Sequence, residues 1–128
     1  MSTDTYLTAR HWFLADLMSG DVKLAILNSY THNDSHEFLD DVATVIDSSA
    51  NLANKSLDGG WFSSDPAVVA SATGANVEAV VLYIDTGTAS TSRLIAYWTI
   101  GADDNPLDIE LDGSDLTITP SALGWFTV

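Results

Sequence analysis

The chain reads as a mainly β domain: an antiparallel β-sandwich or barrel-like body with one N-terminal helix and a second short helix, α+β on a strict count. Three observations predict this. Residues 77–100, VEAVVLYIDTGTASTSRLIAYWTI, hold two apolar runs rich in β-branched and aromatic residues around a small polar connector. That is the pattern of a hairpin buried on both faces. Residues 107–119 alternate apolar and polar side chains, as a hairpin with one wet face does. Sustained helical spacing is confined to residues 3–19. The 128 residues make one domain, with an N-terminal helical segment (1–20) and a β-rich body (21–128). A chain of this length buries roughly two-thirds of its unfolded surface.

In order along the chain, Tyr6, Leu7, Phe13, Leu14, Leu17 and Met18 recur near helical spacing, with Arg10 and Asp16 off the stripe. Ser2 or Thr3 caps the start, and Ser19-Gly20 stops the helix. VKLAIL (22–27) follows as a strand. After the loop NSYTHNDS, a short helix is expected around His36–Val42, with Asp34 as N-cap and Glu37 three residues on. Phe38 and Val42 form its buried side. Asp40 and Asp41 near its far end oppose the helix dipole and keep it short. ATVI (43–46) and LANKSL (52–57) are candidate edge strands, Asp58-Gly59-Gly60 a turn, and AVVASA another short strand. Trp61-Phe62 is expected to fold back onto the core. In the last third, Leu107, Ile109 and Leu111 alternate with Asp108, Glu110 and Asp112, and Leu116 and Ile118 with Asp115, Thr117 and Thr119. A turn at Gly113-Ser114 sets Leu111 opposite Leu116 and Ile109 opposite Ile118. A turn at Asp112-Gly113 also keeps the apolar side chains on one face, so both registers stay open. Trp125–Val128 closes the chain as a strand.

Composition excludes several functions. Cysteine is absent, which removes disulfides, thiolate metal sites and thiol nucleophiles. Eighteen Asp and Glu face four Lys and Arg, a net charge of −14. Such a surface repels phosphate, so neither nucleic acid nor an anionic membrane is an expected partner. The acidity keeps a crowded or salt-exposed protein soluble, or complements a basic patch on a partner protein. MSTDTYLTAR lacks the basic start and apolar stretch of a signal peptide, so export by that route is not expected.

Few residues carry chemistry. His32, His36 and Glu37, with Asp34, Asp40 and Asp41 nearby, are the densest ligand-like cluster. Two histidines four apart bind a divalent metal when a helix presents them on one face. Asn33 and Asp34 between them favour a turn instead, so a solvated loop is the expectation. Asp108-x-Glu110-x-Asp112-Gly113 opens like an EF-hand loop, but Thr119 stands where the bidentate Glu belongs. Asp103, Asp104 and Asn105 are a weak calcium candidate. His11 is expected to pack within the first helix. No G-x-S-x-G and no sequence-placed base support nucleophilic catalysis, so no catalytic residue, cofactor or metal ligand is assigned and the chain is not expected to be an enzyme. The aromatics remain. Tyr97 and Trp98 point to opposite faces of one strand, and Trp61 and Trp125 lie near turns. Core or subunit packing is their ordinary use, and stacking on sugar rings the alternative.

Residues 77–100 also carry a resemblance. VEAVVLYIDTG, the Thr-Ala-Ser-Thr-Ser connector and LIAYWTI resemble a group of small tailed-phage virion proteins encoded among head and tail structural genes. VKLAILNSYTHNDSHEFLDDV and NLANKSLDGGWFSSDPAVVASATG are similar to that group's early strand and middle region. LDGSDLTIT and GWFTV are similar to its final hairpin and terminal strand. The likeness spans most of residues 20–128 and is specific as a combination. It implies a capsid decoration (cement) protein that binds the major capsid protein on the capsid exterior. It also implies a homo-oligomer, a trimer before other states. Tyr83, Tyr97, Trp98, Trp61 and Trp125 are then the candidate interface residues. The alternatives are a phage tail or fibre component binding host carbohydrate, and a small metal-dependent enzyme centred on His32, His36 and Glu37.

Overall fold

The computed structural model describes residues 17–31, 33, 35–42, 44–99, 105–120 and 124–127. The helix expected over 3–19 lies outside them except for its end, where Leu17–Ser19 are helical. Lys55 closes that end: its ammonium donates to the carbonyls of Leu17 (3.1 Å) and Gly20. A cation there satisfies carbonyls that have no partner within the helix.

The domain is mainly β and antiparallel. Its central sheet has the order β2-β1-β6-β7, built from β1 (Asp21–Leu27), β2 (Val45–Ser48), β6 (Ala79–Asp85) and β7 (Arg93–Trp98). A second sheet joins β3 (Ser56–Asp58), β4 (Trp61–Ser63) and β9 (Phe126–Thr127), and a third pairs β5 (Ala67–Val69) with β8 (Leu116–Ile118). The sheets are open rather than closed into a barrel. The smaller two supply side chains to one face of the central sheet, a sandwich-like packing.

Strand parity explains both layers. Val22, Leu24 and Ile26 of β1 and Val80 and Leu82 of β6 point inward, where they meet Phe62, Ala67, Val69, Val77 and Trp125. The alternate residues Ala25, Leu27, Ala79, Val81 and Tyr83 point outward. They are covered by Tyr30, Leu39 and Val42 from the long β1–β2 connection and by Leu94 of β7. β6 is therefore buried on both faces, as expected of the first arm of the 77–100 hairpin, and β1 beside it is too. β7 departs from that expectation: it lies at the sheet edge, and its residues are half-buried or exposed.

Several expectations need correction. The short helix at 36–42 is a single 3-10 turn, Leu39–Asp41. Its cap is Asp41, whose carboxylate accepts the Glu37 and Phe38 amides at 2.9 and 3.0 Å. Asp34 lies outside the described residues. Of the strand expected over 43–46, Ala43 lies outside the described residues and β2 is described from Val45, because Thr44 sits at φ 63°, the left-handed region, and the chain cannot be extended there. Within 52–57 only Ser56 and Leu57 are strand; Leu52 is a core residue. The Gly59-Gly60 turn forms with φ 58° and 85°, the doubly positive geometry that matches strand twist.

The largest correction concerns residues 107–118. Their inward and outward faces are as expected: Leu107, Ile109, Leu111, Leu116 and Ile118 pack against the core, and the acids between them are exposed. Their partners are not. Ile109 pairs with Val77, and Leu116–Ile118 with Ala67–Val69, so neither hairpin register forms. Ala72 exchanges hydrogen bonds with Gly113 and Ser114, holding the turn against the end of β5.

Candidate functional site

The outer face of the central sheet, beside β7, collects the exposed aromatic chemistry. Tyr97 is 41% exposed. It lies opposite Val81 on β6, so its ring leaves the sheet on the outward side. Tyr30, from the β1–β2 connection, packs edge-on against it with ring centroids 5.4 Å apart. The Tyr30 hydroxyl shares a 3.1 Å hydrogen bond with His36 Nδ1, and the two rings lie 5.7 Å apart. Burial pushes the Tyr30 phenol above its usual range, with the charges of Tyr97 and Asp41 adding to the effect.

Local structure holds this group in place. Thr44 Oγ1 accepts the Ser29 amide at 3.2 Å and donates to the Ser29 carbonyl at 2.8 Å, fastening the two ends of the connection. Residues 37–39 run along part of the β7 edge: Leu94 donates to the Glu37 carbonyl and Leu39 to the Ser92 carbonyl, each at 2.8 Å. The Arg93 guanidinium lies 5.1 Å from the centre of the Phe38 ring, within cation–π range. Asp41 holds the adjoining turn. Its carboxyl is lowered by the Glu37 and Phe38 amides, then by the charge of His36.

The β6–β7 loop is a network of hydroxyls. Thr86 Oγ1 lies 2.5 Å from Thr91 Oγ1, and buried Ser92 donates from Oγ to the Thr88 carbonyl at 2.9 Å. Asp85 Oδ1 accepts the Gly87 amide at 3.0 Å, and its other oxygen pairs with Lys23 at 3.0 Å. These hydroxyls satisfy one another and stiffen the loop.

The five residues singled out in the sequence are not brought together. Tyr83 and Trp125 are 3% and 8% exposed, covered by the chain itself, so neither presents surface to a partner in this conformation. Trp125 Nε1 donates to Ser64 Oγ at 2.8 Å, and its ring lies 5.9 Å from that of Trp98. Trp98 and Trp61 are half-buried. Tyr97 and Trp98 do take opposite faces, Trp98 against the inner core. Tyr97 is thus the exposed member of the set. Sequence reasoning missed Tyr30 and the capping role of Asp41, which it placed only in the ligand-like cluster and against the helix dipole. A lone aromatic in the polar run NSYTHNDS was the available signal for Tyr30. Nothing marked Asp41 as a cap, since that role depends on a side chain that reaches backward along the chain.

Of the metal-like cluster, His32 and Asp34 lie outside the described residues, as do His11, Asp103 and Asp104. Asn33 folds back on Ser35, its Oδ1 taking the Ser35 amide at 2.9 Å, which is the expected turn. Among the described residues no group of three or more His, Asp or Glu is placed to hold a metal ion, and no helix is long and apolar enough to cross a membrane. No protein-family model and no curated protein matches this chain.

Proposed function

We propose that the chain is a non-enzymatic tailed-phage virion protein, a capsid decoration (cement) protein that binds the major capsid protein on the outer shell. The resemblance of residues 77–100 and their flanks to small phage virion proteins suggested the class. The observation that supports an adhesive role is Tyr97, an exposed aromatic on edge strand β7 with half-buried Tyr30 packed edge-on against it. That placement narrows the adhesive surface expected from the sequence. Both faces of 79–83 are occupied by the chain's own side chains and offer nothing to a shell. A patch this small binds weakly by itself. Repetition over an icosahedral lattice, or three copies acting together, raises the effective affinity without new contacts.

Co-sedimentation with purified capsids lacking the protein tests the proposal. Saturation at hundreds of copies per particle is expected, and Tyr97→Ala should lower occupancy. Binding at a handful of copies, or none, would overturn it. Tyr97 also gives the tail-fibre reading a specific ground, since an exposed ring stacks on sugars. Glycan-array binding lost in Tyr97→Ala, with no capsid binding, would favour that reading. Trp125 is too buried to serve it.

A further inference from the structure

We infer that residues 37–41 form a strap that guards one edge of the central sheet. Held across the Arg93 end of β7, the strap keeps that strand from pairing with a strand of another copy of the chain. This stands apart from the capsid reading and goes beyond it.

The hazard lies in the sequence of β7. LIAYW (94–98) is apolar and aromatic, without charge or proline. Such a segment recruits other strands when it lies at a sheet edge, as β7 does. The opposite edge strand, β2, is four residues long and carries the exposed Asp47, two features that discourage strand addition. β7 is six residues long, and its one charged residue, Arg93, lies over the Phe38 ring of the strap.

Pairing irregularities fall at the same two edges. β1 and β6 pair over seven residues without a break. Each edge strand has one residue skipped in its register, Ile46 in β2 and Ile95 in β7. Bulges of this kind bend and twist an edge away from a flat partner. The strap takes the stretch of β7 that precedes its bulge. Phe38 bridges Arg93, the Leu94 amide donates to the Glu37 carbonyl, and the Leu39 amide donates to the Ser92 carbonyl, each bond 2.8 Å long. One carboxylate oxygen of Asp41 accepts both the Glu37 and the Phe38 amides, so the strap is shaped from within. An incoming strand reaches the Leu94 amide only by displacing the Glu37 carbonyl.

The test must separate the strap from net charge, because copies carrying −14 also repel one another. The full chain and its Asp41→Ala variant are compared by sedimentation velocity and amide exchange at low salt and at 1 M NaCl, where the screening length falls to about 3 Å. Asp41→Ala should speed exchange of the Leu94 and Leu39 amides about fivefold, as loss of a capping carboxylate does, while β6 amides stay protected. At high salt and rising concentration the variant should associate, with Leu94 regaining protection as its amide finds a partner strand. Wild type should sediment as it does at low salt. Phe38→Ala removes the contact with Arg93 and keeps the cap, so it should associate to a smaller extent; it carries the test if Asp41→Ala also deprotects β6. Equal association of wild type and variants at high salt would overturn the proposal, since charge alone would then keep copies apart. Variants that expose Leu94 to exchange yet never associate beyond wild type would overturn it as well. So would association that leaves Leu94 unprotected, or variants in which Leu94 exchanges as in wild type.

Discussion

The two arms of the β6–β7 hairpin have similar compositions and different fates. AVVLY in β6 is buried throughout, while LIAYW in β7 is half-buried, with Tyr97 in the open. The difference comes from position. β6 has β1 on one side and β7 on the other, smaller sheets beneath it and the β1–β2 connection above it. β7 has one full neighbour and a partial one at residues 37–39. Apolar composition makes a strand able to be buried; its place in the sheet decides whether it is. The aromatic on the edge strand, Tyr97, therefore stays at the surface, whereas the same residue type one strand inward, Tyr83, is covered.

The sharpest way to break this comparison is truncation on each arm. Leu82 is fully buried in the inner core, and Leu82→Ala should cost about 2–5 kcal/mol in urea or thermal unfolding. Leu94 is half-buried on β7, so Leu94→Ala should cost about half as much. Equal losses would mean that β7 is as enclosed as β6 and that its exposure is not a consequence of edge position. Gly124→Ala comes next. Gly124 sits at φ 144°, and a Cβ there would lie 2.5 Å from the Phe62 carbonyl oxygen, so backbone must shift. Overpacking of this kind costs about 1–3 kcal/mol. The loss should fall on the β4–β9 pairing, where the Trp125 amide donates to that same carbonyl at 2.7 Å. Trp125 fluorescence should then redden while the β6–β7 amides stay protected from exchange. Deprotection of β6 as well would show that the two layers unfold as one.

The sequence revealed faces better than partners, and this too follows from where each strand lies. Alternation at 107–118 tells which side chains go inward, because side-chain period is a property of one strand. It cannot tell which strand lies alongside, and Val77 and Ala67–Val69 took the places that a local hairpin would have filled. β6 was legible because burial on both faces leaves a continuous apolar run. The aromatic surface was half legible: Tyr97 by its parity opposite Trp98, Tyr30 only as a lone aromatic in a polar run, since it arrives through a long connection that sequence pattern does not constrain. The late start of β2 was hidden in Thr44, a β-branched residue in a conformation that costs about 1–2 kcal/mol. Its two hydrogen bonds to Ser29 offset that strain. Thr44→Ala keeps the strain and loses the bonds, so it should destabilise by about 1 kcal/mol. Thr44→Gly loses both and should be near neutral. If the two variants behave alike, the connection is not fastened at Thr44 and the cover over Val81 and Tyr83 is held elsewhere.

The smallest effect lies where β6 leaves its enclosed part. Asp85 is directly opposite Asp21, an unfavourable pairing of like charges, and Lys23 reaches diagonally across to Asp85 at 3.0 Å. The Gly87 amide, then Lys23, holds the Asp85 carboxyl below the usual carboxylate range, and Asp85 holds the Lys23 ammonium above its own. A depressed acid contributes stability that is fully present above its unfolded pKa, about 3.9, and is lost as pH falls through the folded value. A raised amine contributes stability fully present below about 10.4 and lost as pH rises through its folded value. Asp85→Asn should therefore flatten both flanks of a stability-against-pH curve while changing the plateau between them by less than about 1 kcal/mol, because a partly exposed pair is worth little. Relief of the Asp21 repulsion works against even that loss. Asp41 and Asp112, both lowered by backbone amides, leave a residual acid-side slope in the variant. Raising the salt should shrink the difference between wild type and variant on the alkaline flank more than on the acid flank. The ion pair is screened, but the Gly87 hydrogen bond that dominates the Asp85 shift is short-range and is not. An alkaline flank insensitive to salt would show Lys23 to be held by something other than Asp85, and β6 to be as enclosed at its exit as at its centre.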